Sequence, residues 1–594
     1  MRPRPFHRVT RAIAGGLLLL SLTACGSASD SAADMTSATV TADTGGGTIA
    51  DTGGGTGTSA ATTADGETTS DSTEATATAL ASLAEDHDDA ADHEWDTTDE
   101  VAVSLDGDTA TASGDSVAID GSTVTITSAG TYRLSGTLDD GQIIVDAGDD
   151  DLVRLVLDGV DVTSSTGAAL DIVAADEVIV VLADGTTSSL TDTYRALPDE
   201  STDGDAADVP DAALFSMADL TIDGTGALTV TGNAEDGIAS KDGLVITGGT
   251  ITVTAVDDGI RGKDYLVVDG GTITIDAGGD GLTSTSDADA TLGYVSVAGG
   301  DLAISAGDDG VSAVSEAVVS GGTLTIESAD DAIHADVSAT IAGGTTTITA
   351  GDDAVHADAS VTIAGGTLDV LASYEGLESA ALTISGGDTS VVASDDGVNG
   401  SADSGAISLT ITGGSLVVDA QGDGIDINGD ISMSGGTVVV VGPTEDMNAP
   451  IDYDGSFDIS GGFLIATGSA GMAMSPQSTS SQSFVAATFS TVEGGTTVHV
   501  ESADGTDIAT FTPSRAYASI VVSSDAISSG EQYVVSVGGT TTSVGTGGLS
   551  EASDWSGGEQ VATATAGTAL AGGGPGGMGG QGGMGGPGGQ GGRP

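Results

Sequence analysis

Carboxylates recur at a regular interval through the middle of this chain. Short acidic corners read Glu235-Asp236-Gly237, Asp257-Asp258-Gly259, Gly279-Asp280-Gly281, Asp308-Asp309-Gly310, Asp330-Asp331-Ala332, Asp352-Asp353-Ala354, Tyr374-Glu375-Gly376, Asp395-Asp396-Gly397 and Gly422-Asp423-Gly424. A further acid often follows a few residues on, at Asp242, Asp264, Asp287, Glu316, Asp336, Asp358 and Asp403. Clustered carboxylates suit hard divalent cations, and Ca²⁺ takes oxygen ligands at about 2.3–2.6 Å. Two unscreened carboxylates about 5 Å apart repel by roughly 3 kcal/mol at an effective dielectric near 20. A stack of such corners therefore calls for a bridging cation. The candidate ligands are Asp236, Asp257, Asp258, Asp264, Asp280, Asp308, Asp309, Asp330, Asp331, Asp336, Asp352, Asp353, Asp358, Asp395, Asp396 and Asp423. Asp-Gly is also ordinary turn chemistry, which accounts for one acid per corner better than for two or three.

Basic groups are scarce enough to be informative. The two lysines of the chain, Lys241 and Lys263, are one interval apart, and Arg261 stands beside the second. They can neutralise Asp242, Asp258 and Asp264. They can also bind an anionic substrate, or act as the base that removes a proton α to a uronate carboxylate. His334 and His356 are likewise one interval apart, either as a solvated corner pair or as groups that titrate or ligate metal.

The elements that must position these residues follow from a repeat. Gly-Gly pairs begin at 248, 270, 299, 321, 343, 365, 386, 413, 435 and 461, a base period of about 22 with occasional insertions. Such a period marks a solenoid with one supersecondary unit per turn. Ahead of each pair runs a column of Ile246, Val268, Val297, Val319, Ile341, Ile363, Ile384, Ile411, Met433 and Ile459. Behind it runs a second column, Val253, Ile275, Ile304, Ile326, Ile348, Val370, Val391, Val418, Val440 and Ala466. Between them apolar residues alternate with Thr, as in Thr250-Ile251-Thr252-Val253-Thr254, which is the period of a strand. The fold class is all-β: a right-handed parallel β-helix of about 22 residues per coil.

Composition and termini complete the organisation. The chain of 594 residues carries a formal charge of −77. That charge argues against nucleic acid as a partner. Residues 1–25 read as a lipoprotein signal peptide. Arg2, Arg4, Arg8 and Arg11 precede a short apolar run, and Leu22-Thr23-Ala24-Cys25 forms a lipobox. Acylation of Cys25, the single cysteine, would place the chain on the extracellular face of the cell membrane; the oligomeric state is left open. Residues 26–98 read as a disordered acidic spacer, 99–135 as an N-terminal β cap and 136–476 as the β-helix. Residues 477–548 read as a small C-terminal β module and 549–594 as a disordered Gly-rich tail.

The stretch from Asn233 to Asp242, continued by Gly248 to Asp264, resembles bacterial carbohydrate-binding domain-containing β-helix proteins. So do Leu155 to Ser164 and Leu182 to Thr186, and the resemblance spans roughly residues 100–475. It implies a pectate-lyase-like fold and calcium-dependent binding of acidic polysaccharide. Scarce aromatics, with Tyr265, Tyr294, Tyr374 and Tyr453 as the candidate platforms, favour ion bridging over stacking. The alternatives are a pectate-type lyase using calcium with Lys241, Arg261 or Lys263 as base, and a structural or ice-binding solenoid. The last would use Thr pairs such as 250/252, 272/274, 323/325 and 345/347.

Overall fold

The computed structural model describes residues 78, 79, 81, 83–193, 209–402, 404–542, 545–550 and 555–570. Cys25, the signal peptide, most of the expected spacer and residues 571–594 lie outside the described residues.

Each coil is built from three short strands. In Thr250–Ala255, Ile251, Val253 and Ala255 are buried while Thr250, Thr252 and Thr254 face solvent. Ile260–Gly262 and Tyr265–Val268 complete that coil. The next coil repeats the plan with Thr272–Ala277, Leu282–Ser284 and Tyr294–Val297. Successive coils pair in parallel, Ile251 with Ile273 and Val253 with Ile275, then Leu302 and Ile304, then Leu324 and Ile326. Inward aliphatic side chains thus stack on their equivalents in the next coil, and the core is a stack of largely aliphatic columns. The column from Ile246 to Ile459 runs coil to coil as the spacing predicts. The fold is therefore a parallel β-solenoid.

The Gly-Gly pair is a steric requirement at the corner between strands. Gly344, for example, has φ +75°, and a Cβ there would lie 2.7 Å from the carbonyl oxygens of Gly321 and Gly322. A side chain would be strained by its backbone and would collide with the coil beneath.

The ends depart from the coil plan. At the N-terminus, Val101–Gly107 pairs antiparallel with Thr109–Ala112 and Val117–Asp120 with Thr123–Ile126, while Val101–Gly107 and Thr123–Ile126 also begin the parallel stack. At the other end, Phe463–Gly468 pairs antiparallel with Tyr517–Ser523, which also pairs with Phe484–Val492. A separate five-stranded sheet follows. It includes Glu559–Thr565, paired with Gln532–Val537, so the terminal module extends into the residues expected to form a disordered tail. Alternating Val561 and Thr563 supply the strand pattern there, ahead of the Gly-rich run.

The expected spacer is also shorter than its composition implied. Residues 83–100 run back along the coils as a strap. Ala84 donates to the Thr291 carbonyl at 2.8 Å and accepts from Tyr294 Oη at 2.9 Å. His93 bridges Asp88 and Asp223, at 2.7 and 2.9 Å. Leu83 packs near Val245, Tyr265, Val267 and Tyr294, and Trp95 on Val156, Ile179 and Val181. Arg133 holds Glu100 through two contacts at 2.6 and 2.9 Å. A few anchors in a polar sequence order this strap without a hydrophobic face of its own.

Candidate functional site

The acidic corners lie one above another along a single edge of the solenoid. At seven of the nine corners the inner acid reaches to the next coil. Oδ1 of Asp236 accepts the Asp258 amide at 3.2 Å, that of Asp258 the Asp280 amide at 3.0 Å, and that of Asp280 the Asp309 amide at 3.0 Å. Asp309 accepts from Asp331 at 3.0 Å, Asp331 from Asp353 at 2.8 Å and Asp396 from Asp423 at 2.5 Å; Asp423 accepts from Ala449. The glycine or alanine after each acid donates to the corner above, as Gly259 does to the Asp280 carbonyl at 2.8 Å. The inner acid thus has a structural role that spacing alone did not reveal. One oxygen tethers adjacent coils, and the second remains for other work.

The outer acids Asp257, Asp308, Asp330 and Asp352 are exposed beside this ladder. Oxygens of Asp236, Asp257 and Asp258 lie within 4.8 Å of one another, as do those of Asp308, Asp309 and Asp330 and those of Asp330, Asp331 and Asp352. Two oxygens on one Ca²⁺ are separated by at most about 5 Å, so these groups fit a shared ion. Where glycine replaces the outer acid, a cradle opens. A Cβ placed on Gly279 would sit 2.7 Å from Oδ1 of both Asp257 and Asp258, and Gly422 faces Asp395 and Asp396 in the same way.

The electrostatics are those of crowded, half-buried acids. Burial, then the charge of Asp280, pushes Asp258 up to about 6 and Asp309 up to about 7. Burial and the Asp395 and Asp396 charges do the same to Asp396 and Asp423, at about 6 and about 7 respectively. Asp331 is the exception. Burial would raise it, but hydrogen bonds from His334 and His356 hold its carboxyl well below the usual range. Burial also raises Asp353, close to Glu378 and Glu375.

Other predicted residues lie elsewhere. Asp264 lies near Asp219 and Asp242 on the side covered by the strap; burial raises both of those carboxyls, and the Asp264 charge adds to it. Asp336 and Asp358 are exposed next to His334 and His356. Of the basic trio, Lys241 and Arg261 converge on Asp211, each at 2.7 Å, and Arg261 also contacts the buried Asp236. Lys263 is exposed. The ion-pair partners are therefore Asp211 and Asp236; of the expected Asp242, Asp258 and Asp264, Asp258 adds its charge near Arg261 without an ion-pair contact. Asp211 is 30 and 50 residues from the two cations and lies in Asp211-Ala212-Ala213, which lacks the acidic Gly pattern, so periodicity did not flag it. The guanidinium of Arg261, raised further by these two acids against the cost of burial, holds its proton and is unsuited to act as a base. Tyr265 and Tyr294 stack with ring centroids 5.4 Å apart but are buried under the strap, leaving Tyr374 exposed.

Residues 120–376 match the family model described as carbohydrate-binding domain-containing protein. A protein of that description from Acetivibrio thermocellus is 43% identical over 132 residues, 22% of this chain and 45% of that protein. The chain thus spans less than half the length of that relative. A solved structure, that of the polysaccharide lyase-like protein from C. thermocellum in its gadolinium derivative, is 33% identical. The match covers 44% of this chain and 96% of that one, with a TM-score of 0.37. Over residues 120–376, the chain is similar to the carbohydrate-binding domain-containing protein family.

Proposed function

We propose that this protein binds acidic polysaccharide in a calcium-dependent manner at the outer face of the cell membrane, tethered by lipid on Cys25. The observation that carries the reading is the convergence of carboxylate oxygens from consecutive coils within 4.8 Å along one edge. Raised carboxyls at Asp258, Asp309, Asp396 and Asp423 mean that their charged forms are costly without a counter-charge. A divalent ion supplies that counter-charge, and its remaining coordination positions accept uronate oxygens. Both partners are anionic, so the ion is what lets them meet. The match to a carbohydrate-binding family supports the sugar part of the reading. Engagement of Lys241 and Arg261 by Asp211 favours binding over proton abstraction.

Calorimetry tests this directly. Calcium is titrated first, then a panel of uronans, with and without chelator. Heat from polygalacturonate that appears with calcium and vanishes with EGTA is expected. Equal binding in both conditions, or no calcium uptake, sinks the reading. Ultraviolet absorbance of an unsaturated product during the same incubation would reveal a lyase instead.

A further inference from the structure

The column outside the carboxylate ladder carries two histidines in consecutive coils, His334 paired with His356, followed by Glu378. Their Nδ1 atoms point at the same oxygen. Asp331 Oδ2 lies 3.0 Å from His334 Nδ1 and 3.2 Å from His356 Nδ1. The imidazole rings stand at 87°, with centroids 5.1 Å apart, so they converge on one point without stacking. We propose that Asp331, His334 and His356 form a binding site for a borderline transition-metal cation of the zinc class, which shares Asp331 with the carboxylate ladder but adds two nitrogen ligands to it.

Three features of the arrangement support the assignment. The first is the edge length. Zinc–ligand bonds of about 2.0–2.2 Å arranged tetrahedrally place neighbouring donors roughly 3.3–3.5 Å apart, close to the 3.0 and 3.2 Å found here. The second is fixation of the carboxylate. Asp331 Oδ1 accepts the Asp353 amide at 2.8 Å, and the carboxyl is buried, so Oδ2 is aimed rather than wandering. The third is the far side of each ring. His334 Nε2 lies within hydrogen-bond reach of Asp336 Oδ1 at 3.4 Å, and His356 Nε2 stands near Asp358 Oδ1 at 3.9 Å, an ion-pair distance only. A metal-binding imidazole characteristically directs its other nitrogen to a carboxylate, which sets the tautomer. Asp336 is then a positioning residue for His334, and Asp358 a nearby negative charge for His356.

Two nitrogens and one oxygen select against calcium, which prefers oxygen alone, and towards Zn²⁺, Co²⁺, Ni²⁺ or Cu²⁺. His356 also lines a cleft of about 350 Å³ with Asp358, Glu378, Ser379 and Ser401. Ser379 is 2% exposed there and its hydroxyl has no hydrogen-bond partner. A fourth ligand, water or a sugar oxygen, has room in that cleft.

The test is cobalt titration of the whole chain in excess calcium, read by visible absorbance. One cobalt per chain is expected, with the intense bands of nitrogen-ligated tetrahedral cobalt, displaced by zinc and not by calcium. The signal should disappear in the H334Q/H356Q double variant and persist in H499Q. D336N should weaken it about 10–100-fold, and D358N less than D336N. No bands in the wild type, or bands unchanged in the double variant, overturn the proposal. Should the double variant misfold, zinc protection of His334 and His356 from diethyl pyrocarbonate in the intact chain decides. Equal labelling with and without zinc overturns the assignment.

Discussion

Replacing Asp309 by Asn separates two tasks of one carboxyl. Its Oδ1 accepts the Asp331 amide at 3.0 Å, which an amide oxygen can also do. Its charge is what Asn lacks. Burial, then Asp280, pushes Asp309 from 3.8 up to about 7. A carboxyl raised on folding favours the native state in acid, below the unfolded value, and that contribution disappears as pH rises through the folded value. Three units at about 1.36 kcal/mol each give an upper figure of about 4 kcal/mol lost by about pH 8 in metal-free protein. Asp309 is only partly buried, and solvent screening reduces the expected loss to about 1–3 kcal/mol. In chelator at about pH 8, D309N should therefore melt above the wild type, and the two should converge near pH 4. Added calcium should raise the wild type more than D309N, because one ligand is missing. Melting curves followed by circular dichroism, with EGTA and with calcium, provide the comparison. A D309N protein less stable than the wild type in chelator at about pH 8 refutes the electrostatic argument. Identical calcium increments would remove Asp309 from any cation site.

Thr346 sits fully buried in a column between Leu324 and Leu368, with its hydroxyl unpartnered. Thr346→Val should stabilise the fold by about 1 kcal/mol in denaturant melts, and a lower midpoint would contradict that. Asp211→Asn strips the shared counter-charge from Lys241 and Arg261. It should cost about 3–5 kcal/mol at neutral pH by chemical denaturation; a loss below about 1 kcal/mol would mean that these contacts do not carry stability. Trp95→Ala removes an anchor of the strap and should accelerate hydrogen exchange across residues 84–98 while leaving the strands around Ile179 protected. Uniform exchange across strap and coils in the wild type would speak against docking.

Much of the fold was legible because a solenoid repeats its constraints. Ten Gly-Gly pairs and two aliphatic columns each report one geometry many times, so single exceptions such as Thr346 do not hide it. The second role of the inner acids was harder to read. An Asp that bridges coils through Oδ1 and one that ligates a cation leave the same letter in the sequence. Contacts made once were invisible for the opposite reason. Asp211, in Asp211-Ala212-Ala213, lacks the acidic Gly corner pattern, and His87, His93 and Trp95 lie in a stretch whose composition reads as disordered. His87 nonetheless reaches Tyr265 Oη and Thr221 Oγ1, each at 2.9 Å. The terminal sheet escaped at its last strand because Gly-rich sequence follows Glu559–Thr565 closely.

The strap has a mechanical corollary. Reading backwards from Glu100, its contacts climb from Arg133 through Val156 and Asp223 to Thr291 and Tyr294. A pull on the chain upstream of Leu83 would thus load the flank of the solenoid partway along its stack, not its terminal cap. Contacts would open one after another, as in peeling tape, from Ala84 towards Glu100. Each rupture releases slack and resets the load before the next, so the coils behind the strap are shielded until the whole ribbon has come away.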